Sequence, residues 1–412
     1  MKRFWRFFLF QRLFLCLMGA FALAGLLTGC VTPPTSEAPP PSEATPQLRY
    51  QATAWSALPG WSQDTLAEAW PAWQMSCRAL LKKASERAVW TVPCQAAETI
   101  DPSRAETVRA FFETHFQAWQ IIIDNAESVA GATAERGLIT GYYEPLLAGS
   151  RTADARYRYP LYARPDDLLT VELASLYPEL EGKRVRGRLI DNKVRPYFSR
   201  AEIDRGNLFK ATPLFYVDDA MDAFFLHIQG SGRLRQPDGR IVRLGYADQN
   251  GHPYRAIGGV LAQRGDIARE NLSMQTIKAW GRAHPAALPA LLDENPSYVF
   301  FREVPPPEPG SLDARIDGPI GALGVPLLAQ RAIAIDNRQL PLGAPFFLEA
   351  VDPDSRVPLQ RLTMAQDTGG AIRGAIRADF FCGTGNEAGE RAGKMRETGR
   401  LWLLWPKGAA LP

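Results

Sequence analysis

The most informative segment of the sequence spans residues 367–385 and reads DTGGAIRGAIRADFFCGTG. Its two aspartates, Asp367 and Asp379, each adjoin an apolar, strand-like run and are followed by glycine. Strand ends hold side chains rigidly, and glycine lets the backbone approach a ligand closely. Apolar neighbours such as Phe380 would raise the pKa of a carboxyl group by desolvation, as a general acid at neutral pH requires. The segment predicts an acidic site on strands; the alternative is that both aspartates only cap turns.

Other motifs of known chemistry are incomplete in this chain. Residues 383–388, GTGNEA, imitate a dinucleotide-binding fingerprint, but Gly389 and Gly393 interrupt the helix that should follow, and no acidic residue stands about 20 positions on. Residues 230–232, GSG, lack the rest of a nucleophile elbow. Scattered histidines and irregularly spaced cysteines offer no ligand pattern. We therefore predict no metal and no cofactor.

Short strand-like runs punctuated by Gly, Pro and Asp begin at about residue 138 and predict a compact β region over residues 141–245. The runs in this region are LITGYYEPLLAG (138–149), YPLYARP (159–165), FFLHIQGSG (224–232) and GRIVRLGYAD (239–248). Further runs follow near the C-terminus: SYVFFREV (297–304), APFFLEAVD (344–352), QRLTMAQD (360–367), AIRADFF (375–381) and GRLWLLWP (399–406).

Helical signals lie on both sides of that β region. Asp101-Pro102 offers an N-cap side chain and a proline for the first helical position, and apolar residues recur at helical spacing over residues 108–119. His115 lies on that apolar face, which favours a packed histidine over a ligand. Ser273 predicts the cap of a second helix, and Asn295-Pro296 predicts the end of a third. This order predicts an α+β protein in which one domain is inserted into another.

The first 29 residues indicate an export signal. They carry four basic residues and no acidic residue, continue as an almost uninterrupted apolar run, and end in Leu27-Thr28-Gly29 before Cys30. This order resembles the lipobox of bacterial lipoproteins, in which the cysteine is lipidated; an uncleaved membrane anchor is the alternative. No aspartate follows Cys30, which favours the periplasmic face of the outer membrane. Residues 30–50, rich in proline, predict an extended tether.

The charge of the chain argues against a nucleic-acid partner. The sequence carries 47 basic and 44 acidic residues, a net charge of +3, and four of the basic residues lie in the export signal. The remainder is almost neutral and has no basic footprint for DNA or RNA. Among the cysteines outside the signal and the lipobox, Cys77 and Cys94 either form a disulfide or stay reduced, and their spacing leaves both open.

An ordered series of motifs resembles the membrane-bound lytic murein transglycosylase A family. The series runs across most of the body behind the lipobox: GYYEP (141–145), HIQGSG (227–232), NGHPYRAIG (250–258), LSMQ (272–275), NPSYVFF (295–301) and the aspartate-glycine segment through EAGERAG (387–393). The resemblance implies a mainly β fold with helices. In it, a double-psi β-barrel domain of residues 51–140 and 246–412 carries an inserted, smaller β-barrel-like domain of residues 141–245, with the substrate groove between them.

The resemblance also implies an activity. Members of the family cleave the β-1,4 bond between N-acetylmuramic acid and N-acetylglucosamine in peptidoglycan and leave 1,6-anhydromuramoyl ends, and we expect an exolytic enzyme. Asp379 would be the single catalytic acid, which protonates the glycosidic oxygen and then accepts a proton from the C6 hydroxyl of the sugar. One carboxyl group suffices because this tethered hydroxyl replaces water. Asp367 would support the site.

Several residues are candidates for holding the glycan strand because they offer an aromatic ring, an amide, a hydroxyl or an exposed backbone. They are Gly141, Tyr142, Tyr143, Gln229, Gly230, Ser231, Gly232, Gly369 and Gly370. Core packing is the alternative for the two tyrosines. Four cations either meet carboxylates of the substrate or form a solvated basic loop: Arg373, Arg377, Arg391 and Lys394. The expected partners are peptidoglycan strands, the outer membrane through the lipid, and other cell-wall proteins.

Two other functions fit parts of the sequence. A conventional muramidase would need a second essential carboxylate, for which Glu144 and Asp218 are candidates. A peptidoglycan-binding lipoprotein without catalysis would need neither aspartate of the 367–385 segment, so the intact segment argues against it.

Cys30→Ala should release the protein from the membrane fraction and leave its activity in solution unchanged, because the lipid is attached at this residue alone. Fractionation of cell envelopes, followed by an assay of the soluble fraction, checks this. Cys16→Ala, inside the export signal, is the matched control and should stay membrane-bound. A Cys30→Ala protein that remains wholly in the outer-membrane fraction would contradict the lipobox interpretation.

Overall fold

The computed structural model describes residues 47–124, 133–180, 182–206 and 208–412. The predicted export signal and the lipidation site Cys30 lie outside these residues, as does most of the tether. The tether is shorter than predicted, because Gln47–Thr53 already form a strand. Within the described ranges, no helix combines the length and the apolar character needed to cross a membrane.

The helices of the described residues are α1 Trp70–Leu80, α2 Arg87–Ala97, α3 Ala105–His115, α4 Arg200–Asp204, α5 Ala220–Gln229, α6 Ile257–Arg264, α7 Met274–Ala283, α8 Leu288–Asp293 and α9 Gly385–Lys394. The strands are β1 Gln47–Thr53, β2 Phe116–Asp124, β3 Thr133–Ala134, β4 Gly137–Glu144, β5 Leu146–Ser150, β6 Tyr159–Tyr162, β7 Leu169–Thr170, β8 Arg186–Ile190, β9 Lys193–Pro196, β10 Pro213–Val217, β11 Gly232–Arg235, β12 Ile241–Gln249, β13 Val299–Val304, β14 Ala332–Ile335, β15 Pro345–Val351, β16 Pro358–Thr368, β17 Ala378–Thr384 and β18 Arg396–Pro406.

Six strands close into a barrel because β4 pairs along both of its edges. It runs parallel to β17 on one side and antiparallel to β18 on the other. The ring order is β18, β15, β16, β14, β17, β4, and β2 and β1 extend the sheet outward from β18. Closure leaves no unpaired edge within the ring, so its strands are held firmly in place.

The two faces of the barrel strands have different surroundings. On β14, Ile333 and Ile335 belong to the large apolar core, which also receives Trp73 and Trp90 from helices α1 and α2. Ala332 and Ala334 alternate with these isoleucines and lie on the opposite face. Successive side chains of a strand point to opposite faces. The side chains on the core face of β14 therefore stabilise the barrel, and the opposite face is available for a site.

A second sheet contains β13, β12, β11, β5, β10 and β6 in that order, and an isolated bridge between Ala163 and Phe301 brings its two edges together. It has its own apolar core, which includes Leu161, Phe215 and Leu234. A small third sheet of β7, β8 and β9 lies in the same part of the chain. All these strands lie between β4 and β14 in sequence.

Strand pairing divides the chain at positions other than those expected from the sequence. The expected insert covered residues 141–245, yet β4, which ends at Glu144, pairs within the barrel. At the other end, β12 runs on to Gln249 and pairs with β13, which places residues up to Val304 in the second sheet. The local pattern identifies a strand but not its partner, which explains why the limits differ.

Three local predictions were wrong. Helix α9 continues through Gly389 and Gly393, which were expected to interrupt a helix at this position. The run FFLHIQGSG is not a strand: most of it lies in helix α5, where Asp219 caps the first turn by accepting a hydrogen bond from Asp222 N at 2.9 Å, and Gly230 ends the helix at φ +76°. Helix α3 begins at Ala105 and not at Asp101, because the Asp101 carboxylate instead accepts a hydrogen bond from Ser103 N at 3.0 Å in a turn.

Other local predictions were confirmed. Ser273 caps α7, and the strands predicted near the C-terminus are present. His115 is a packed histidine whose ring centroid lies 5.0 Å from that of Phe111. Cys77 and Cys94 form a disulfide between α1 and α2, which resolves the choice that the sequence left open.

Replacing both cysteines, Cys77→Ala with Cys94→Ala, should lower the free energy of unfolding by about 3 kcal/mol, because a cross-link over 17 positions restricts the unfolded chain. Urea unfolding of the variant and of the wild type under non-reducing conditions measures the difference. Cys382→Ala, which removes the buried free thiol and keeps the disulfide, is the control and should unfold at nearly the wild-type midpoint under the same non-reducing conditions. An unchanged unfolding midpoint in the double variant would contradict a stabilising role for the disulfide.

Candidate active site

Strand pairing brings the two aspartates together. β14 pairs with β16 on one side and with β17 on the other, so Ala334 lies opposite both Asp367 and Asp379. Side chains of directly opposite residues share a face of the sheet. At about 4.8 Å between neighbouring strands, the two aspartate Cα atoms are about 10 Å apart. The small side chain of Ala334 leaves space between the two carboxyl groups.

Asp379 is held by its neighbours on β4 and β17. Thr140, opposite Asp379, donates a hydrogen bond to Asp379 Oδ1, and Arg377 Nη2 donates to Thr140 Oγ1 at 2.8 Å. Burial raises the pKa of the Asp379 carboxyl, and the positive charge of Arg377 and the Thr140 hydrogen bond oppose this only in part. Within the described residues, no hydrogen bond reaches Asp379 Oδ2. That oxygen is available for proton transfer.

Asp367 is held more completely. Its Oδ1 accepts hydrogen bonds from the backbone N–H groups of Ala322 and Thr368, both at 2.9 Å, and its Oδ2 accepts one from the Tyr142 hydroxyl at 3.1 Å. Burial raises the pKa of Asp367 to about 6, although these three hydrogen bonds favour its charged form. Both oxygens are engaged, which suits a residue that fixes the shape of the site.

A groove of about 1040 Å³ lies between the barrel and the second and third sheets. Asp367, Gly369 and Gly370 line it from the barrel. The segment Gln229–Ser231, at the end of α5, lines it from the other side. Six of the predicted site residues therefore meet at one groove. Asp379 is not among the lining residues; it lies on the same sheet face as Asp367, close enough for its charge to raise the pKa of Asp367 slightly.

Four other predicted residues pack against protein instead of lining the groove. A Cβ at Gly141 would lie 2.8 Å from Ala392 Cα, so this glycine lets α9 approach β4. Gly232 leaves room for the side chain of Leu226 in the same way. Tyr143 is buried beside Gly389, and its N–H donates to Gln229 Oε1 at 3.0 Å. Tyr142 is buried and touches Asp367.

The four positively charged residues predicted near the site lie in different parts of the structure. Arg373 lines the groove, and Arg377 stands behind Asp379. Arg391 pairs with Asp352, and Lys394 pairs with Asp354 at 2.9 Å. The last two lie on α9 outside the groove lining, so only Arg373 is placed to meet a ligand there.

The sequence did not reveal several groove residues. Arg184, Arg302 and Arg338 line the groove together with His227. His227 is buried, burial lowers its pKa well below the ordinary value, and neither ring nitrogen has a hydrogen-bond partner among the described residues. These side chains come from distant segments that only the fold brings together. The HIQGSG motif was the one available signal, for His227.

The structure argues against both candidates for a second essential carboxylate. Glu144 is 1% exposed and accepts hydrogen bonds from Arg233 at 2.8 Å and from Thr384 at 3.0 Å. Asp218 pairs with Arg156 at 3.0 Å. Neither lines the groove. In the described part of the chain, no group of three or more His, Cys, Asp or Glu side chains is placed to hold a metal ion.

Two family models match the chain at the positions of its sheets. The model described as "MltA specific insert domain" matches residues 138–302. The model described as "3D domain" matches residues 331–405, which include the strands that carry Asp367 and Asp379.

Curated relatives are identical to this chain at about a third of the aligned positions. The membrane-bound lytic murein transglycosylase A of Escherichia coli (strain K12) is 36% identical over 273 residues, which cover 64% of each chain. The protein of the same name from Vibrio cholerae is 32% identical over 293 residues, which cover 69% of this chain and 70% of the relative. The matched region thus spans just under two thirds of the length of the E. coli relative.

Solved structures share the fold. MltA from Neisseria gonorrhoeae is 36% identical with a TM-score of 0.70, and the match covers 88% of this chain and 92% of that one. E. coli MltA with bound chitohexaose is 27% identical with a TM-score of 0.61, covering 87% of this chain and 94% of that one. Together with the closed ring of six strands, these likenesses confirm the predicted fold class, an α+β double-psi β-barrel with an inserted domain.

Asp367→Asn should become more stable relative to the wild type as the pH rises from about 4 to about 7. The folded wild type holds the proton of Asp367 up to a pKa of about 6, whereas the unfolded chain releases it near its ordinary value of about 3.9. The folded state thus binds more protons than the unfolded state in this range, and wild-type stability falls as the pH rises. Melting temperatures measured across the range test this.

The control for this measurement is Asp317→Asn. Hydrogen bonding to Arg233 lowers the pKa of Asp317, so the stability difference between this variant and the wild type should change only below about pH 4 and stay nearly constant between about pH 4 and about pH 7. A melting-temperature difference for Asp367→Asn that does not change with pH would contradict the raised pKa of Asp367.

Proposed function

The chain belongs to the membrane-bound lytic murein transglycosylase A family, and from this premise we propose that it is a lytic transglycosylase of peptidoglycan. It cleaves the β-1,4 bond between N-acetylmuramic acid and N-acetylglucosamine and forms a 1,6-anhydromuramoyl end without consuming water. The names of its relatives and the chitohexaose bound by E. coli MltA support a glycan substrate. Exolytic release of small fragments is part of the same proposal.

The observation that carries this proposal is the state of Asp379. Its carboxyl group is partly buried, desolvation raises its pKa, and Oδ2 has no partner within the described residues. A group that starts protonated and has one unengaged oxygen can donate a proton to a leaving group. Asp367 lies on the same sheet face, but three hydrogen bonds hold its two oxygens, so it is the weaker candidate.

The reaction balances with one carboxyl group. Asp379 donates its proton to the glycosidic oxygen, and the bond between that oxygen and C1 of the muramoyl residue breaks. The C6 hydroxyl of the same residue bonds to C1 and returns its proton to the Asp379 carboxylate. The nucleophile is already part of the substrate and is held close to C1. This proximity accelerates the reaction, so the enzyme does not need to bind and activate a water molecule as a hydrolase does. The enzyme ends in its starting protonation state.

The surroundings of Asp379 suit both proton transfers. Thr140 holds one carboxylate oxygen, and Arg377, which holds Thr140, stabilises the carboxylate once the proton has left. Tyr142 links the Asp367 carboxylate to the face of β4 and keeps the groove wall in place. The segment Gln229–Ser231 and the backbone at Gly369 and Gly370 face the groove and are placed to bind the N-acetyl and hydroxyl groups of the strand.

The same family membership supports a membrane-associated location for the enzyme. Relatives are named membrane-bound, and the lipobox at Cys30 would supply the anchor at the periplasmic face of the outer membrane. The prolines that follow it would let the barrel reach the peptidoglycan layer. Other cell-wall proteins are the expected neighbours there.

One observation favours a conventional muramidase as the second candidate. Asp367 is a second carboxyl group on the same sheet face, and its Cα lies about 10 Å from that of Asp379. Inverting hydrolases use two carboxyl groups, one as the acid and one to activate a water molecule. Product masses separate the two candidates, because hydrolysis yields reducing ends that are one water heavier than anhydro ends.

Asp379→Asn should abolish cleavage and leave the fold nearly unchanged. The amide has the same size, but it cannot donate the proton and take it back, and a positioned acid–base group contributes about 10²–10⁴-fold to the rate. Single-turnover cleavage of purified glycan strands, with mass spectrometry of the products, measures the loss. The wild type should give anhydro ends, as small fragments if the action is exolytic.

Asp367→Asn is the matched control, because it makes the same chemical change on the same sheet face. It should cleave more slowly than the wild type but retain measurable activity. Circular dichroism confirms that both variants are folded. A folded Asp379→Asn enzyme with near wild-type cleavage, beside an inactive Asp367→Asn enzyme, would place the catalytic acid at Asp367.

A further inference from the structure

Cationic side chains dominate the groove. Among the described residues that line it, seven are Lys or Arg and only one, Asp367, is acidic. Burial raises the pKa of that aspartate to about 6, so even its negative charge is reduced in mildly acidic solution. This excess is local, because the whole chain carries a net charge of only +3. An uncharged glycan gives no reason for such a concentration of positive charge.

Some of these cations already have protein partners. Arg186 pairs with Asp248 at 3.0 Å, and Arg338 pairs with Asp336 through two hydrogen bonds of 2.7 and 2.8 Å. Arg200 is buried and donates to backbone carbonyls. Contacts within the protein therefore explain the presence of these three arginines.

Three arginines are less engaged. Arg184 and Arg302 are exposed and form no ion pair with a described residue. The nearest carboxylate oxygen to Arg373 is that of Asp336, at 3.9 Å, and Arg338 already occupies that carboxylate. We call Arg184, Arg302 and Arg373 the groove arginines.

The groove arginines come from opposite walls. Arg302 lies on β13 of the second sheet, Arg184 lies in the loop before β8, and Arg373 lies between β16 and β17 of the barrel. Gly182, in that loop, lies close to Arg338, which follows β14 of the barrel. A Cβ atom added at Gly182 would be 3.5 Å from Arg338 Cδ. Burial and the charge of Arg338, and to a smaller extent the charge of Arg184, lower the pKa of Arg373, so positive charges from both walls of the groove act on this guanidinium group. Like charges held this way repel unless an anion lies between them.

We infer that the groove arginines form a carboxylate-binding site that recognises the acidic substituents of the glycan strand, an inference that rests on the proposed function. Muramoyl residues differ from N-acetylglucosamine by a lactyl ether, which ends in a free carboxylate or carries a peptide with its own carboxylates. The planar fork of arginine matches a carboxylate with two parallel hydrogen bonds. The site thereby selects strands that contain muramic acid over uncharged polymers of N-acetylglucosamine.

Binding is measured by calorimetry on the full chain in detergent, with Asp379→Asn present to prevent cleavage. The three ligands are peptide-free glycan strands, peptide-bearing glycan strands and chitohexaose. At low salt the acidic strands should bind about tenfold more tightly than chitohexaose, and the gap should narrow as salt screens the charges. Tighter binding of peptide-bearing strands assigns the site to peptide carboxylates; tighter binding of peptide-free strands assigns it to the lactyl carboxylate.

Replacing all three groove arginines by glutamine should reduce affinity for acidic strands about tenfold and leave chitohexaose binding unchanged. Each single variant should reduce affinity for acidic strands roughly twofold. Arg356→Gln removes an exposed positive charge outside the groove lining and is the matched control. The single variants keep the test valid if the triple variant does not fold. Equal, salt-insensitive affinity for all three ligands would overturn this inference, whereas no binding of any glycan would overturn the proposed function itself.

Discussion

The pairing of β14 with β16 on one edge and with β17 on the other is the constraint on which the site depends. Ala334 must lie opposite Asp367 and Asp379 at once for the two carboxyl groups to share a face. A slip of one residue would place Ile333 or Ile335 on the face of the two aspartates and would move Ala334 to the face of the large apolar core. The apolar core on the other face of β14 prevents that slip, because it would expose side chains that are now fully buried.

The same arrangement sets the chemistry of the site. Burial on the sheet face raises the pKa of both aspartates, and the hydrogen bonds around them give the two groups different roles. Two backbone N–H groups and Tyr142 hold Asp367, whereas Thr140 alone holds Asp379 and leaves one oxygen unengaged. Arg377 lies close enough to stabilise the charge that appears when Asp379 gives up its proton. The groove arginines add a charge that an acidic glycan strand would complement.

Sequence patterns predicted much of the fold because strand runs and caps are local signals. The C-terminal strands and the cap at Ser273 are examples. The run FFLHIQ was misassigned because a short, mainly apolar run fits a buried helix as well as a strand. The partner of a strand depends on residues far away in the sequence. The limits of the insert and the pairing of Ala334 with both aspartates could therefore not be predicted from local patterns. Arg184 and Arg302 were not predicted for the same reason. Neither belongs to a recognisable motif, and only the fold brings them to the groove.

The central claim is that a protonated Asp379 limits the reaction, and the pH dependence of single-turnover cleavage by the wild type and by Thr140→Val tests it most directly. Activity should fall as the pH rises through the raised pKa of Asp379. The Thr140 hydrogen bond lowers that pKa, so its loss should move the alkaline limb of the profile to higher pH. An alkaline limb that stays in place in a folded Thr140→Val enzyme would contradict the assignment of Asp379 as the acid.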